Sequence, residues 1–137
     1  MALTEKDRLE ILELVARYSR GTDLRDPEIA EMFAENGVLE ANGKVLGDSR
    51  AAIRTFLEAG RSAAQKRRHF LSNVAVDGDG QTASLQAYVA VYDVTDGVAK
   101  APYLIGEYTD ELVKLPEGWR FLRRSLATAG GPPAPSK

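Results

Sequence analysis

Cysteine is absent from the chain, and histidine occurs once in 137 residues. The first absence excludes disulfides, thiolate nucleophiles and cysteine-ligated metals. The second excludes a multi-histidine metal site within one chain. No acidic loop has the spacing that holds calcium or magnesium, so neither metal nor cofactor is expected. No run approaches the roughly 20 apolar residues needed to span a bilayer. The opening MALTEKDRLE carries no apolar segment of the kind that directs export, and a cytoplasmic protein is expected. Charge of one sign is lacking too. With 18 basic and 20 acidic residues the net charge is −2, so neither nucleic acid nor an anionic membrane is an expected partner.

What is present reads as an ordinary globular chain, 44% apolar and 28% charged, with one domain over residues 1–128. The closing GGPPAPSK cannot continue a strand, so residues 129–137 are expected to form a flexible tail. Thr4 suits a helix N-cap, with Glu5 and Asp7 in the first turn. Ile11, Leu14, Val15 and Tyr18 then recur at helical spacing, and the helix is expected to stop near Gly21. DPEIAEMFAENG predicts a second, short helix, capped by Asp26, begun by Pro27 and ended by Asn36-Gly37, with Ile29, Met32 and Phe33 buried. VLEANGKVLG predicts a hairpin about Asn42-Gly43. Asp48 or Ser49 caps a third helix, SRAAIRTFLEAG, with Ile53, Phe56 and Leu57 on its apolar side.

Four strands follow: RHFLSNVAV, TASLQAYVAVYDV, YLIGEYTDELVKL and WRFLRRSLA. They are separated by the turn material DGDGQ, TDGVAKAP and PEG. Helices first and strands after them define an α+β domain, its sheet largely antiparallel and its helices collected on one face. The second of these strands has two unlike faces. Leu85, Ala87, Val89 and Val91 make one wholly aliphatic. Ser84, Gln86, Tyr88, Ala90 and Tyr92 make the other, which suits either a ligand pocket or the rim of a core. The aliphatic face has no helix left to cover it, and homodimerisation through the sheet is expected.

The single histidine stands in KRRHFLSNVAV, residues 66–76, where an apolar strand follows three cations. By residue type alone a histidine at a strand edge is more often structural than catalytic. Asp23, in GTDLRDP, is by the same standard a turn residue. A tyrosine on an apolar stripe, as Tyr18 is, is more often core than ligand contact, and a run such as QKRR is more often a solvated loop than a phosphate or coenzyme A contact.

Four stretches change the weighing: LVARYSRGTDLRDPEIAEMFAENGVLE, GDSRAAIRTFL, RRHFLSNVAVDGDGQTA and GEYTDELVKLPEGWRFLRR. Their order and spacing resemble the SnoaL-like branch of the NTF2-like superfamily over most of residues 8–126. The resemblance implies an NTF2-like (cystatin-like) cone, with three N-terminal helices packed on a curved, mainly antiparallel sheet. Within the branch the likeness is to the scytalone dehydratase, bile-acid 7α-dehydratase and hexachlorocyclohexane dehydrochlorinase group, which uses a His–Asp pair. It implies His69 and Asp23 as that catalytic pair, Tyr18 as a pocket tyrosine and Arg124 as a pocket arginine, with Arg123 its neighbour of opposite parity. The second strand-borne histidine or aspartate of the relatives has no counterpart. Gln86, Tyr88 and Tyr92 occupy its face, and Tyr88 and Tyr92 join the candidate substrate-binding residues.

Imidazole, with an ordinary pKa of about 6.5, is a base available at neutral pH, and a carboxylate on its other nitrogen fixes the tautomer. The implied activity is a cofactor-independent lyase of dehydratase type, or an isomerase or cyclase, acting on a hydrophobic, cyclic small molecule. Two other expectations share the cone: a non-catalytic ligand-binding protein, and a structural partner resembling the β-subunit of aromatic-ring dioxygenases.

Overall fold

The computed structural model describes residues 2–131. Along the chain run α1 (Glu5–Asp23), a 3-10 helix (Pro27–Met32), β1 (Phe33–Ala41), β2 (Lys44–Gly47), α2 (Arg50–Ala59), β3 (Arg67–Gly78), β4 (Thr82–Asp93), β5 (Leu104–Leu115) and β6 (Gly118–Gly130). The six strands form one sheet in the order β2-β1-β6-β5-β4-β3. Neighbours are antiparallel except β1 and β6, which run parallel. β3 is therefore an edge, and α1 lies across it.

Thr4 begins α1 as its residue type suggests. Its hydroxyl accepts from the Asp7 N–H, and the Asp7 carboxylate accepts from the Thr4 N–H. The same carboxylate accepts from Lys114 Nζ at 3.0 Å and Trp119 Nε1 at 3.1 Å. Lys114, the Thr4 backbone and Trp119 hold Asp7 well below the usual carboxylate range. One acid thus both starts the helix and ties it to the β5–β6 hairpin.

Gly21 does not end α1, which continues to Asp23. It marks a close approach instead: a Cβ there would stand 2.1 Å from Ile29 Cγ2. The expected second helix is corrected. Asp26 caps it and Pro27 opens it, but it is a six-residue 3-10 piece, and a strand starts at Phe33. Asn36 and Gly37 lie inside that strand at a register shift. A Cβ on Gly37 would meet Ala34 O at 2.9 Å and Phe121 O at 3.1 Å. Parallel pairing with β6 prevails over the local helix signal. Of the three helices only two are α-helical, and the last follows the β1–β2 hairpin, whose Asn42-Gly43 turn has φ values of 51° and 79°. Ser49, not Asp48, caps α2.

The core lies between the helices and one face of the sheet. Ile11, Ile29, Phe33, Ile53, Leu85, Leu112, Trp119 and Phe121 are buried together. Each such side chain contributes about 1.5–3 kcal/mol. A smaller cluster of Val89, Val91 and Tyr108, flanked by Leu71, Leu104 and Leu126, extends it.

The faces of β4 are the reverse of the expectation. Leu85, Ala87, Val89 and Val91 turn inward and are buried, whereas Ser84, Gln86 and Tyr88 are exposed on the outer face. The aliphatic row can be dehydrated beneath helices without stranding a polar group; the phenol and the amide keep their hydrogen bonds with water outside. β6 runs two residues past the expected boundary at 128, and residues 132–137 of the expected tail lie outside the described residues. Among the described residues no helix is long and apolar enough to cross a membrane.

Candidate functional site

Asp23 is the last residue of α1, and His69 is the third residue of the edge strand β3. The crossing of helix over strand brings them together from 46 positions apart. Asp23 Oδ1 accepts from His69 Nδ1 at 2.7 Å and from the His69 backbone N–H at 2.9 Å. The turn that follows leaves the acid free for this. Its hydrogen bonds run from the Arg25 N–H to Thr22 O and from the Asp26 N–H to Gly21 O, and Asp26 supplies the next cap.

With Nδ1 as donor to a carboxylate, Nε2 carries the lone pair of the neutral ring. Burial lowers the His69 pKa from its usual 6.5, opposed by Asp23 and reinforced by the charges of Arg67 and Arg124. The ring is therefore neutral at pH 7, with a base directed away from its orienting acid. The dyad opens on a groove of about 410 Å³ between α1 and β3, whose walls include Leu12, Val15, Leu71 and Val74 and whose polar groups include Ser19 and Arg20. That volume lies within the range of small-molecule sites.

Behind the dyad lies a second, closed group. Tyr18 packs edge-on to Phe33 and Phe121, and burial, the largest cause, pushes its phenol above its ordinary range. The Arg124 side chain is 0% exposed. Its guanidinium carbon stands 3.6 Å from the Tyr108 ring centre, 4.5 Å from that of Tyr18 and 4.7 Å from that of Phe121. Arg124 Nε is 3.5 Å from Asp110 Oδ1, and no polar side-chain atom of either residue has a hydrogen-bond partner. Burial pushes the Asp110 carboxyl up to about 6, Arg124 opposing.

Of the candidate residues, the structure gathers Asp23 and His69 at the groove, and Tyr18 and Arg124 in the closed cluster beside them. Arg123 has the opposite parity and pairs with Glu40. Tyr88 and Tyr92 are the correction: both belong to the outer face, Tyr88 50% exposed and Tyr92 packed against Phe70 with ring centres 5.2 Å apart and planes tilted by 60°. Neither reaches the groove. Sequence reasoning missed Tyr108 and Asp110. Their signal was alternation: in GEYTDEL, Gly106, Tyr108, Asp110 and Leu112 share a face, and a carboxylate in that row is buried by parity.

Comparison with known proteins agrees with this architecture. An uncharacterized protein of Mycobacterium tuberculosis is 30% identical over 121 residues, covering 86% of this chain and 82% of its own. A protein of unknown function from Nostoc punctiforme with a cystatin-like fold superposes with a TM-score of 0.85 at 26% identity, over 96% of this chain and 98% of that one. A scytalone dehydratase-like protein of Novosphingobium aromaticivorans gives a TM-score of 0.79 at 25% identity, over 90% and 84%. Fold and site together define an NTF2-like, cystatin-like protein. The model of the SnoaL-like domain matches residues 4–125, and the chain belongs to that family, a small-molecule enzyme family.

Proposed function

We propose that the protein is a cofactor-independent lyase of dehydratase type acting on a small hydrophobic, cyclic β-hydroxy carbonyl compound. The observation that carries this reading is the 2.7 Å contact between His69 Nδ1 and Asp23 at the wall of an apolar groove. His69 Nε2 removes the proton beside the carbonyl, and the C–H electrons form a carbon–carbon double bond as the carbonyl π pair moves onto oxygen, giving an enolate. The enolate then expels the β-hydroxyl, which leaves as water carrying the proton returned by the imidazolium. Asp23 stabilises that imidazolium and holds the tautomer. Ser19 and Arg20 are the groove's donors for the enolate oxygen. Burial above all, with the charges of Arg67 and Arg124 adding to it, disfavours the protonated ring and so keeps the base free.

Asp23→Asn tests the pairing, since the amide preserves shape but not charge. Assayed on a panel of cyclic β-hydroxy ketones, it is expected to lower kcat by about 10²-fold or more. Turnover within a few-fold of wild type would remove the carboxylate from the mechanism.

The protein is further proposed to dimerise, through the outer face of the sheet and not the aliphatic one. Phe70, Ala90 and Ile105 form one row across β3, β4 and β5, and Phe70 and Ile105 are 60% and 48% exposed. Sedimentation at micromolar concentration should show a dimer that Phe70→Glu converts to monomer; a wild-type monomer would contradict it.

A further inference from the structure

A second cavity, of about 430 Å³, lies between the end of α1, the 3-10 helix, α2 and the first residue of β3. Ile29, Phe56 and Leu57 give it an apolar wall, and Phe56 is 43% exposed. Its cations are Arg25 and Arg67.

Both guanidiniums are held in place by neutral groups. Arg25 donates to the backbone oxygens of Gly60 and Gln65, and its own backbone sits at φ 55°, a conformation that non-glycine residues seldom adopt. Arg67 donates to the side-chain oxygen of Gln65 and lies 5.0 Å from the centre of the Tyr103 ring. Among the described residues no carboxylate comes within 4.0 Å of either arginine. Asp26, the acid in the lining, is engaged as the cap of the 3-10 helix, where it accepts from the Glu28 N–H. Asp93 meets Gln65, not the arginines.

Two like charges gathered around one glutamine, each with N–H donors to spare, are unfavourable unless an anion joins them. The arginine fork matches a two-oxygen anion. The apolar wall beside it matches a hydrocarbon body.

We propose that this cavity is a binding site for a small amphipathic carboxylate, its oxygens held by Arg25 and Arg67 and its apolar body laid against Ile29, Phe56 and Leu57. The site is separate from the His69 groove, and its occupancy does not depend on turnover there.

The test is isothermal titration of the full chain at low salt with 4-phenylbutyrate, its neutral primary amide, and phenyl phosphate. The acid is expected to bind about tenfold or more tightly than the amide, and Arg67→Gln to lose a similar factor. Ala16 lines the His69 groove, and Ala16→Trp, which fills it, should leave the acid's affinity unchanged. Four results would overturn the proposal: no binding of the acid, equal binding of acid and amide, preference for the phosphate over the carboxylate, or loss in Ala16→Trp with retention in Arg67→Gln. The acid–amide comparison uses wild-type protein, so a poorly folded variant leaves it decisive.

Discussion

His69→Ala lowers kcat/KM by about 10²–10⁴-fold on whatever cyclic substrate the groove accepts, the span of a well-placed general base. The substitution removes the ring but leaves the backbone N–H that also holds Asp23, so the helix end and the edge strand keep their contact. The loss is accordingly expected in rate and not in folding. The pH profile separates the two. Burial lowers the His69 pKa below 6.5, so the wild-type ring stays unprotonated, and active, to a lower pH than a free histidine would. The acid limb of kcat/KM should therefore fall below 6.5 in the wild type and be absent from the residual activity of the variant. A variant within a few-fold of wild type, or an acid limb that survives without the ring, would put the proton elsewhere.

Arg124→Met destabilises the protein at pH 8 by about 3–5 kcal/mol, the cost of breaking a buried pair by removing one partner. Methionine fills similar space between the three rings but leaves Asp110 ionised and unmatched in the core. The sign with pH follows from the carboxyl's raised pKa of about 6 against 3.8 for an ordinary aspartate. The folded state binds the Asp110 proton more tightly, so the charge penalty is fully present above the folded value and fades as pH falls toward the unfolded one. In the variant the carboxyl loses its cation and rises further. Urea melts should therefore show the deficit shrinking between pH 8 and pH 5. Adding Asp110→Asn should recover much of it at pH 8, because the orphaned charge is then gone. A deficit that ignores both pH and the second substitution would mean that Arg124 contributes by packing alone.

The sequence made the scaffold legible where local chemistry and tertiary packing agree. Thr4, Asn42-Gly43, Ser49 and the four late strands are such places, because cap, turn and alternation each have one cheap solution there. It misled where two solutions compete. Phe33 to Gly37 carry a helix ending in residue type but complete a parallel ladder in fact, and no local pattern announces a strand that arrives 88 residues later. The β4 faces were separable by parity, yet which one turns inward depends on where the helices fall. The dyad was visible only through family spacing, because a lone histidine and a turn aspartate carry no mutual signal. Asp110 was hidden differently. Its neighbours Thr109 and Glu111 made the segment look solvated, although alternation puts it on the buried side.

One oxygen of Asp23 receives both the imidazole and the main-chain amide of residue 69. The clasp that sets the spacing between helix and strand therefore needs no particular side chain at that position. Relatives sharing this joint are free to exchange the ring for another group without rebuilding the junction. A scaffold whose registry is secured by the peptide can vary its reagent one substitution at a time.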